Sequence, residues 1–168
     1  AILARLPPVA ASPSPSPWPQ GTPSFDGRRP GRRLLDDPLL NRGTAFTHAE
    51  RRALGLVGLL PPHVETLDQH AARAYESLRQ RHLPIDRYVA LRGIQDSNET
   101  LFYRLLQDHL EELLPVIYTP TVGEACQRYG SLPLRPRGLS IAYPERDALD
   151  AALASVGPRD VQVLVVTD

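Results

Sequence analysis

The sequence predicts a mainly α N-terminal helical domain, followed by the first strand-helix-strand of a truncated α/β domain. Two patterns lead to this prediction. Apolar residues recur at helical spacing several times between residues 34 and 130, with prolines or capping residues at the boundaries. After Gly130 the pattern changes to alternation and ends in a Val-rich run, which is typical of a strand buried on both faces.

Composition limits the class of protein. The 168 residues suffice for one ordinary core, and the formal net charge of zero gives no reason to expect a nucleic-acid partner. No apolar run approaches the roughly 18 residues of a membrane span, so a soluble chain without a membrane partner is predicted. The single cysteine, Cys126, excludes an internal disulfide framework and is expected to be half-buried on a helix.

Residues 1–33 are predicted to form a disordered arm rich in Pro, Ser and Arg. Their arginines and low acidity partly resemble a mitochondrial presequence, but so many prolines would break the amphipathic helix of such a signal. A transit peptide, a flexible extension and an inaccurate gene-model end all stay open. The predicted compartment is therefore cytoplasmic or mitochondrial.

Four helices are predicted in the domain of residues 34–130. Thr47 and Glu50 form a capping box for a helix over residues 48–59, which Pro61 and Pro62 stop, and Thr66 caps a second over 67–81. Pro84 suits the first turn of a third, over 85–95. The fourth, which Asp96 or Ser97 can cap, has apolar residues at helical spacing from Leu101 to Leu114, is the most amphipathic, and is expected to end at Pro115. Its acidic residues are interpreted as a solvated face rather than metal ligands: Asp108, Glu111 and Glu112.

Tyr118 is predicted to lie at a corner between a strand and a helix. Val116 and Ile117 form a short apolar run before it, and Pro120 biases Thr119 towards an extended conformation. A further helix can start at Thr121. A tyrosine at such a corner most often packs its ring, but corners also place side chains at the edges of clefts.

Residues 131–168 are predicted to be the incomplete start of the α/β domain. The pattern predicts a strand over 139–143, a helix over 145–156 and a strand over 161–166. The turn between the two domains contains two arginines, Arg135 and Arg137. It is interpreted as surface structure rather than as a phosphate site.

Three uncommon sequence words carry a resemblance to a known family. LGLVGLLPP, IYTPTVGEACQRYG and RPRGL occur in this order, and the region from about Leu35 to Asp168 resembles the N-terminal region of the malic enzymes. The resemblance implies oxidative decarboxylation of malate to pyruvate with NADP or NAD and Mg²⁺ or Mn²⁺. It implies that Tyr118 is catalytic and transfers a proton to the enol of pyruvate, together with a lysine further along the chain. It also implies a homo-oligomer, dimer or tetramer, formed through the helical region.

The same resemblance implies that the isolated chain is inactive. The sequence contains no lysine, and the family's metal ligands and nucleotide-binding domain are expected beyond residue 168. No residue of this chain is therefore assigned to a cofactor or a metal. Two alternatives stay open, a non-catalytic dimerisation or regulatory fragment that pairs with malic enzyme subunits, and an incomplete gene product.

Some positions depart from the family's pattern. Arg73 matches one of two arginines that bind the activator fumarate in some members, but Ser97 stands where the second would be, so no fumarate site is expected. Arg73 is then ordinary surface charge, and the preference leans towards the NADP-using type. Three residues replace larger or charged ones where the two domains should meet: Pro133, Leu134 and Ser140.

Overall fold

The computed structural model describes residues 31–139 and 141–155. In these ranges the chain is mainly helical, as predicted. The α-helices are α1 Arg32–Asp36, α2 His48–Leu54, α3 Leu67–Arg79, α4 Pro84–Ser97, α5 Glu99–Asp108, α6 Leu110–Ile117, α7 Thr121–Gln127 and α8 Leu149–Ser155. Short 3-10 helices lie at Gly43–Ala45, Tyr129–Ser131 and Tyr143–Ala148. The predicted arm up to residue 30 and the strand over 161–166 lie outside the described residues.

The buried side chains form two clusters. The larger lies among α3, α4, α5 and α6 and consists of Ala71, Leu78, Leu91, Leu101, Phe102, Leu105, Leu113 and Val116. The smaller lies around α1 and α2 and consists of Leu34, Phe46, Leu54 and Leu56. Helix α4 packs against α3, α5, α6 and α7, so it is the central element of the helical core.

The predicted starts of α2 and α3 are confirmed. Thr47 accepts a hydrogen bond from the Glu50 amide at 3.2 Å, and the Glu50 carboxylate accepts one from the Thr47 amide at 2.8 Å. Thr66 and Gln69 form the equivalent pair at the start of α3. The predicted end of α2 near residue 59 is wrong, because Gly55 adopts a left-handed conformation with φ of 73° directly after Leu54. Helix α3 ends at Arg79, two residues before the predicted boundary.

The fourth predicted helix is two helices, its cap is Asn98 rather than Asp96 or Ser97, and Pro115 does not end the second. The chain breaks at His109, whose φ of −134° and ψ of 36° are not helical, and α6 then continues through Pro115 to Ile117. An interior proline removes one backbone hydrogen bond and crowds the carbonyl four residues earlier, which bends a helix on its N-terminal side. The helical segment is therefore interrupted at His109 and is not ended by Pro115.

The segment after residue 131 forms no strand among the described residues. Where a strand was predicted over 139–143, Ile141 and Ala142 lie outside any helix or strand and Tyr143 begins a 3-10 helix. The helix predicted over 145–156 is the 3-10 helix Tyr143–Ala148 followed by α8. A strand needs a neighbour to pair its backbone groups, and these ranges contain none for it.

Candidate functional site

Tyr118 lies at a corner between two helices. It is the first residue after α6, with φ of −125° and ψ of −152°, and α7 begins three residues later at Thr121. The preceding residues are therefore helical, and the predicted strand-to-helix corner is corrected to a helix-to-helix corner. The cause is again Pro115, which is accommodated inside α6.

The backbone at this corner is held from both sides. The Tyr118 amide donates to the carbonyl of Leu114 at 2.9 Å, and the Tyr118 carbonyl accepts from the amide of Val122 at 2.8 Å. Val116 is 5% exposed and Thr121 is 4% exposed, so the residues flanking the corner are buried in the core. The Thr119–Pro120 peptide bond is cis. The tyrosine therefore projects from a backbone that has little freedom to move.

The phenol itself faces solvent. Tyr118 is 65% exposed, so its ring is not the packed core ring that a tyrosine at such a corner most often provides. A hydroxyl of this kind can donate one proton and accept hydrogen bonds. The site thus offers a fixed, accessible group for proton transfer, provided that a second surface supplies the reacting molecule and a partner for the phenol.

The polar groups near the corner on α7 pair with each other. Glu124 accepts from the Arg128 guanidinium at 2.7 Å, across one helical turn. Cys126 is exposed, which corrects the prediction of a half-buried thiol. The correction follows from the short length of α7, which buries only Thr121 and Ala125.

Arg73 is a surface charge, as predicted, with 62% of its side chain exposed, and it pairs with a buried carboxylate. Its guanidinium is 2.5 Å from the carboxylate of Glu65, and that carboxylate is buried. The Thr44 hydroxyl also donates to Glu65, and the His70 Nδ1 atom lies 3.7 Å from it. The sequence analysis missed this cluster of Thr44, Glu65, His70 and Arg73, because no periodic pattern marks a loop carboxylate as buried.

A cavity of about 410 Å³ lies beside this cluster, and His70 and Ser97 are among the residues that line it. The Ser97 hydroxyl donates to the carbonyls of Gly93 at 2.9 Å and Ile94 at 3.2 Å, so it is bound back to its own helix. His70 itself is half-buried, because α3 packs against the 3-10 helix at residues 43–45.

The acidic residues near the end of α5 and the start of α6 are paired with cations or a phenol. Asp108 accepts from Arg104 at 2.7 Å, and Glu112 accepts from Arg87 at 3.1 Å and from the Tyr75 hydroxyl. Within residues 31–139 and 141–155, no group of three or more His, Cys, Asp or Glu side chains is arranged to hold a metal ion. The same ranges contain no helix with the length and apolar character needed to cross a bilayer.

The described residues define a class, a helical domain that presents the exposed phenol of Tyr118 from a fixed corner, and such a group is able to transfer a proton. Comparison with known proteins makes this more specific. The family model described as "Malic enzyme, N-terminal domain" matches residues 95–168, which include Tyr118 and its corner.

Curated relatives agree with this match. The chain is 52% identical over 138 residues to the NAD-dependent malic enzyme of Idiomarina loihiensis, covering 82% of this chain and 25% of that protein. It is 50% identical over 138 residues to the enzyme of the same name from Acinetobacter baylyi, covering 82% and 24%. It is 46% identical over 141 residues to NAD-dependent malic enzyme 2 of Vibrio vulnificus, covering 84% and 25%. The chain belongs to the malic enzyme family, and it spans about a quarter of the length of these relatives.

Proposed function

We propose that this chain is the N-terminal part of an NAD-dependent malic enzyme, which oxidises and decarboxylates malate to pyruvate while it reduces NAD. The observation that carries the proposal is an identity of about half the residues to proteins named NAD-dependent malic enzymes over 138 residues. These names favour NAD over the NADP-using type towards which the sequence leaned. Other parts of the protein would hold NAD, which would supply a hydride acceptor, and a divalent cation, which would supply polarisation of the substrate carbonyl.

The described residues contribute the proton-transfer step. The Tyr118 hydroxyl would give its proton to the terminal carbon of the pyruvate enol, and a partner group elsewhere in the enzyme would return a proton to the phenolate. The exposed position of Tyr118 supports this role, because the phenol must reach a substrate bound by another part of the protein. The backbone hydrogen bonds at residues 114 and 122 support it as well, because general acid catalysis depends on a fixed donor position.

Replacing Tyr118 in the natural full-length protein tests the proposal. We expect Tyr118→Phe to lower kcat for malate-dependent NADH formation by about 10²- to 10⁴-fold, the usual contribution of a positioned acid or base. The matched control is Tyr129→Phe, because Tyr129 is also exposed, at 50%, and lies in the short 3-10 helix after α7. It should keep the wild-type rate.

Two outcomes would contradict different parts of the proposal. Full activity of Tyr118→Phe would remove the proton-transfer role, whereas a wild-type protein that forms NADPH but no NADH would overturn the assignment to NAD. The isolated 168-residue chain belongs in the same assay, and we expect it to form no NADH from malate. Its quarter-length coverage of the relatives supports this expectation.

A second candidate function is non-catalytic association with another subunit. One observation favours it: Leu110 and Leu114 lie one turn apart on α6 and are 51% and 47% exposed, which leaves an apolar strip uncovered beside the Tyr118 corner. We propose that the helical region forms a homo-oligomer.

A further inference from the structure

The segment that follows the helical core is held to it by few polar contacts. Three join residues 133–155 to α4 and α5 in the part of the chain that the structure describes. Arg92 donates to the carbonyl of Arg135 at 3.4 Å, and the Arg137 guanidinium donates to Asp96 at 3.0 Å and to Glu99. Arg137 is therefore the side chain through which this segment meets the core.

The side chains that form the Arg137 contacts are partly buried. The side chains of Arg137, Asp96 and Glu99 are 32%, 18% and 14% exposed, so both carboxylates are largely removed from water. The two terminal nitrogens of one guanidinium each take a different carboxylate. A planar fork of this kind fixes direction as well as distance, which a single ammonium group does not.

Apolar packing does not replace this polar contact. Beyond residue 138, large apolar side chains are exposed, among them Tyr143 at 80%, Leu149 at 42% and Leu153 at 54%. Before Arg137, Leu132 and Leu134 are only partly buried. After residue 138 the direction of the chain is therefore set mainly by the Arg137 contacts.

The same contacts connect this direction to Tyr118. Asp96 lies in the last turn of α4, and Glu99 is the first residue of α5. Helix α4 packs against α6 and α7, the two helices that flank Tyr118. Helix α4 thus contacts the two helices that form the Tyr118 corner, and its last turn contains Asp96, one of the partners of Arg137.

We propose that Arg137 is a positioning residue for the proton-transfer step assigned to Tyr118. By binding Asp96 and Glu99 together, it fixes the chain after residue 138 relative to the phenol. The inference rests on the proposed function, in which the other groups of the reaction come from polypeptide beyond the helical core. It assigns the arginine-containing turn a role in alignment, where the sequence suggested plain surface structure.

The test uses four variants of the natural full-length protein: Arg137→Gln, Glu99→Gln, the double variant, and Arg146→Gln as the matched control. Arg146 follows the same junction, and its polar contacts among the described residues are with its neighbours Tyr143 and Asp147. Hydrogen–deuterium exchange reports the attachment of residues 132–139, and steady-state kinetics report kcat and the KM for NAD.

We expect Arg137→Gln and Glu99→Gln each to speed exchange over residues 132–139 without changing it in α3–α7. Each should lower kcat on the order of 10-fold to 100-fold, because a misplacement of about 1 Å can cost 100-fold in rate. The KM for NAD should stay within about twofold, since Tyr118 does not bind the nucleotide. The double variant should be no worse than the more impaired single variant, because the two residues share one contact. Arg146→Gln should match the wild type throughout.

A wild-type kcat in Arg137→Gln, in an active protein, overturns the inference alone, and so does unchanged exchange over residues 132–139. Equal losses in Arg146→Gln and Arg137→Gln would also overturn it, since the effect would then not depend on the contact. A wild-type protein that forms no NADH from malate overturns the proposed function and this inference together.

Discussion

At His70, a half-buried imidazole stands between charges of opposite sign. Burial, the largest cause, lowers the pKa of His70 below its ordinary value; the nearby Arg73 charge acts in the same direction, and Glu65 opposes them. Above pH 6.5 the imidazole is neutral in both the folded and the unfolded chain, so it has no effect there. As the pH falls below that value, the unfolded chain takes up the proton first, and the folded state loses stability.

The His70→Gln variant tests this sign. We expect the urea midpoint of the wild type to fall between pH 7.5 and pH 5.5 by more than that of His70→Gln, because glutamine takes up no proton. His82→Gln, at an exposed position in the turn after α3, should keep the wild-type slope. If the urea midpoint falls equally with pH in the wild type and in His70→Gln, protonation of His70 does not affect the stability of the folded state.

At the scale of an element, Arg51 determines how α2 joins the loop that follows it. The side chain is buried, and its guanidinium donates to the carbonyls of Phe46, Pro61, Thr44 and His63 at 2.8, 2.5, 3.0 and 2.8 Å. One cation thus supplies hydrogen bonds to backbone groups on both sides of α2. The loop has no regular structure of its own to satisfy them.

Arg51→Met should therefore destabilise the chain by about 1–3 kcal/mol, since the carbonyl of the buried Phe46 loses its donor and an unsatisfied buried carbonyl costs about that much. Methionine keeps the apolar stem, so the loss reports the hydrogen bonds rather than the packing. Arg79→Met is the control: its side chain is 59% exposed and lies 3.7 Å from Glu76, and such pairs contribute below about 1 kcal/mol. Urea unfolding measures both, and equal losses would contradict the assignment.

Some helix boundaries and contacts were predictable from the sequence, and others were not. The capping box at Thr47 was predictable, because its donors and acceptors lie within four residues of one another. The break at His109 was not, because no turn residue marks it and the Tyr75 ring that stacks on His109 at 3.5 Å belongs to another helix. The hydrogen-bond partners of Arg51 were not predictable either. They are backbone carbonyls, which every residue has, so the sequence does not mark which of them Arg51 contacts.

The same distinction holds for the site. Tyr118 was found because a proline and a family-like word surround it, whereas its corner was assigned to a strand because Val116 and Ile117 suit strands and helices alike. The Arg137 contacts join positions about forty residues apart, and no local pattern marks them. Local sequence signals therefore identified Tyr118, whereas tertiary packing determined the helices and contacts around it.

At the scale of the whole molecule, the uncovered strip of Leu110 and Leu114 predicts association. We expect the natural full-length protein to sediment as a dimer or tetramer, and the Leu110→Ser, Leu114→Ser double variant to shift towards the monomer, because burying this strip removes apolar surface from water. Leu83→Ser is the control, since Leu83 is 58% exposed at the start of α4. A wild-type monomer, or an equal shift in Leu83→Ser, would contradict the proposed interface.

The packing order of the core has a consequence for biosynthesis. Helices α3 to α7 follow one another along the chain and pack mainly on near neighbours, an arrangement in which contacts form within microseconds to milliseconds. A ribosome adds only about 5–20 residues per second. The corner that carries Tyr118 can therefore be complete on the nascent chain while later polypeptide is still being made.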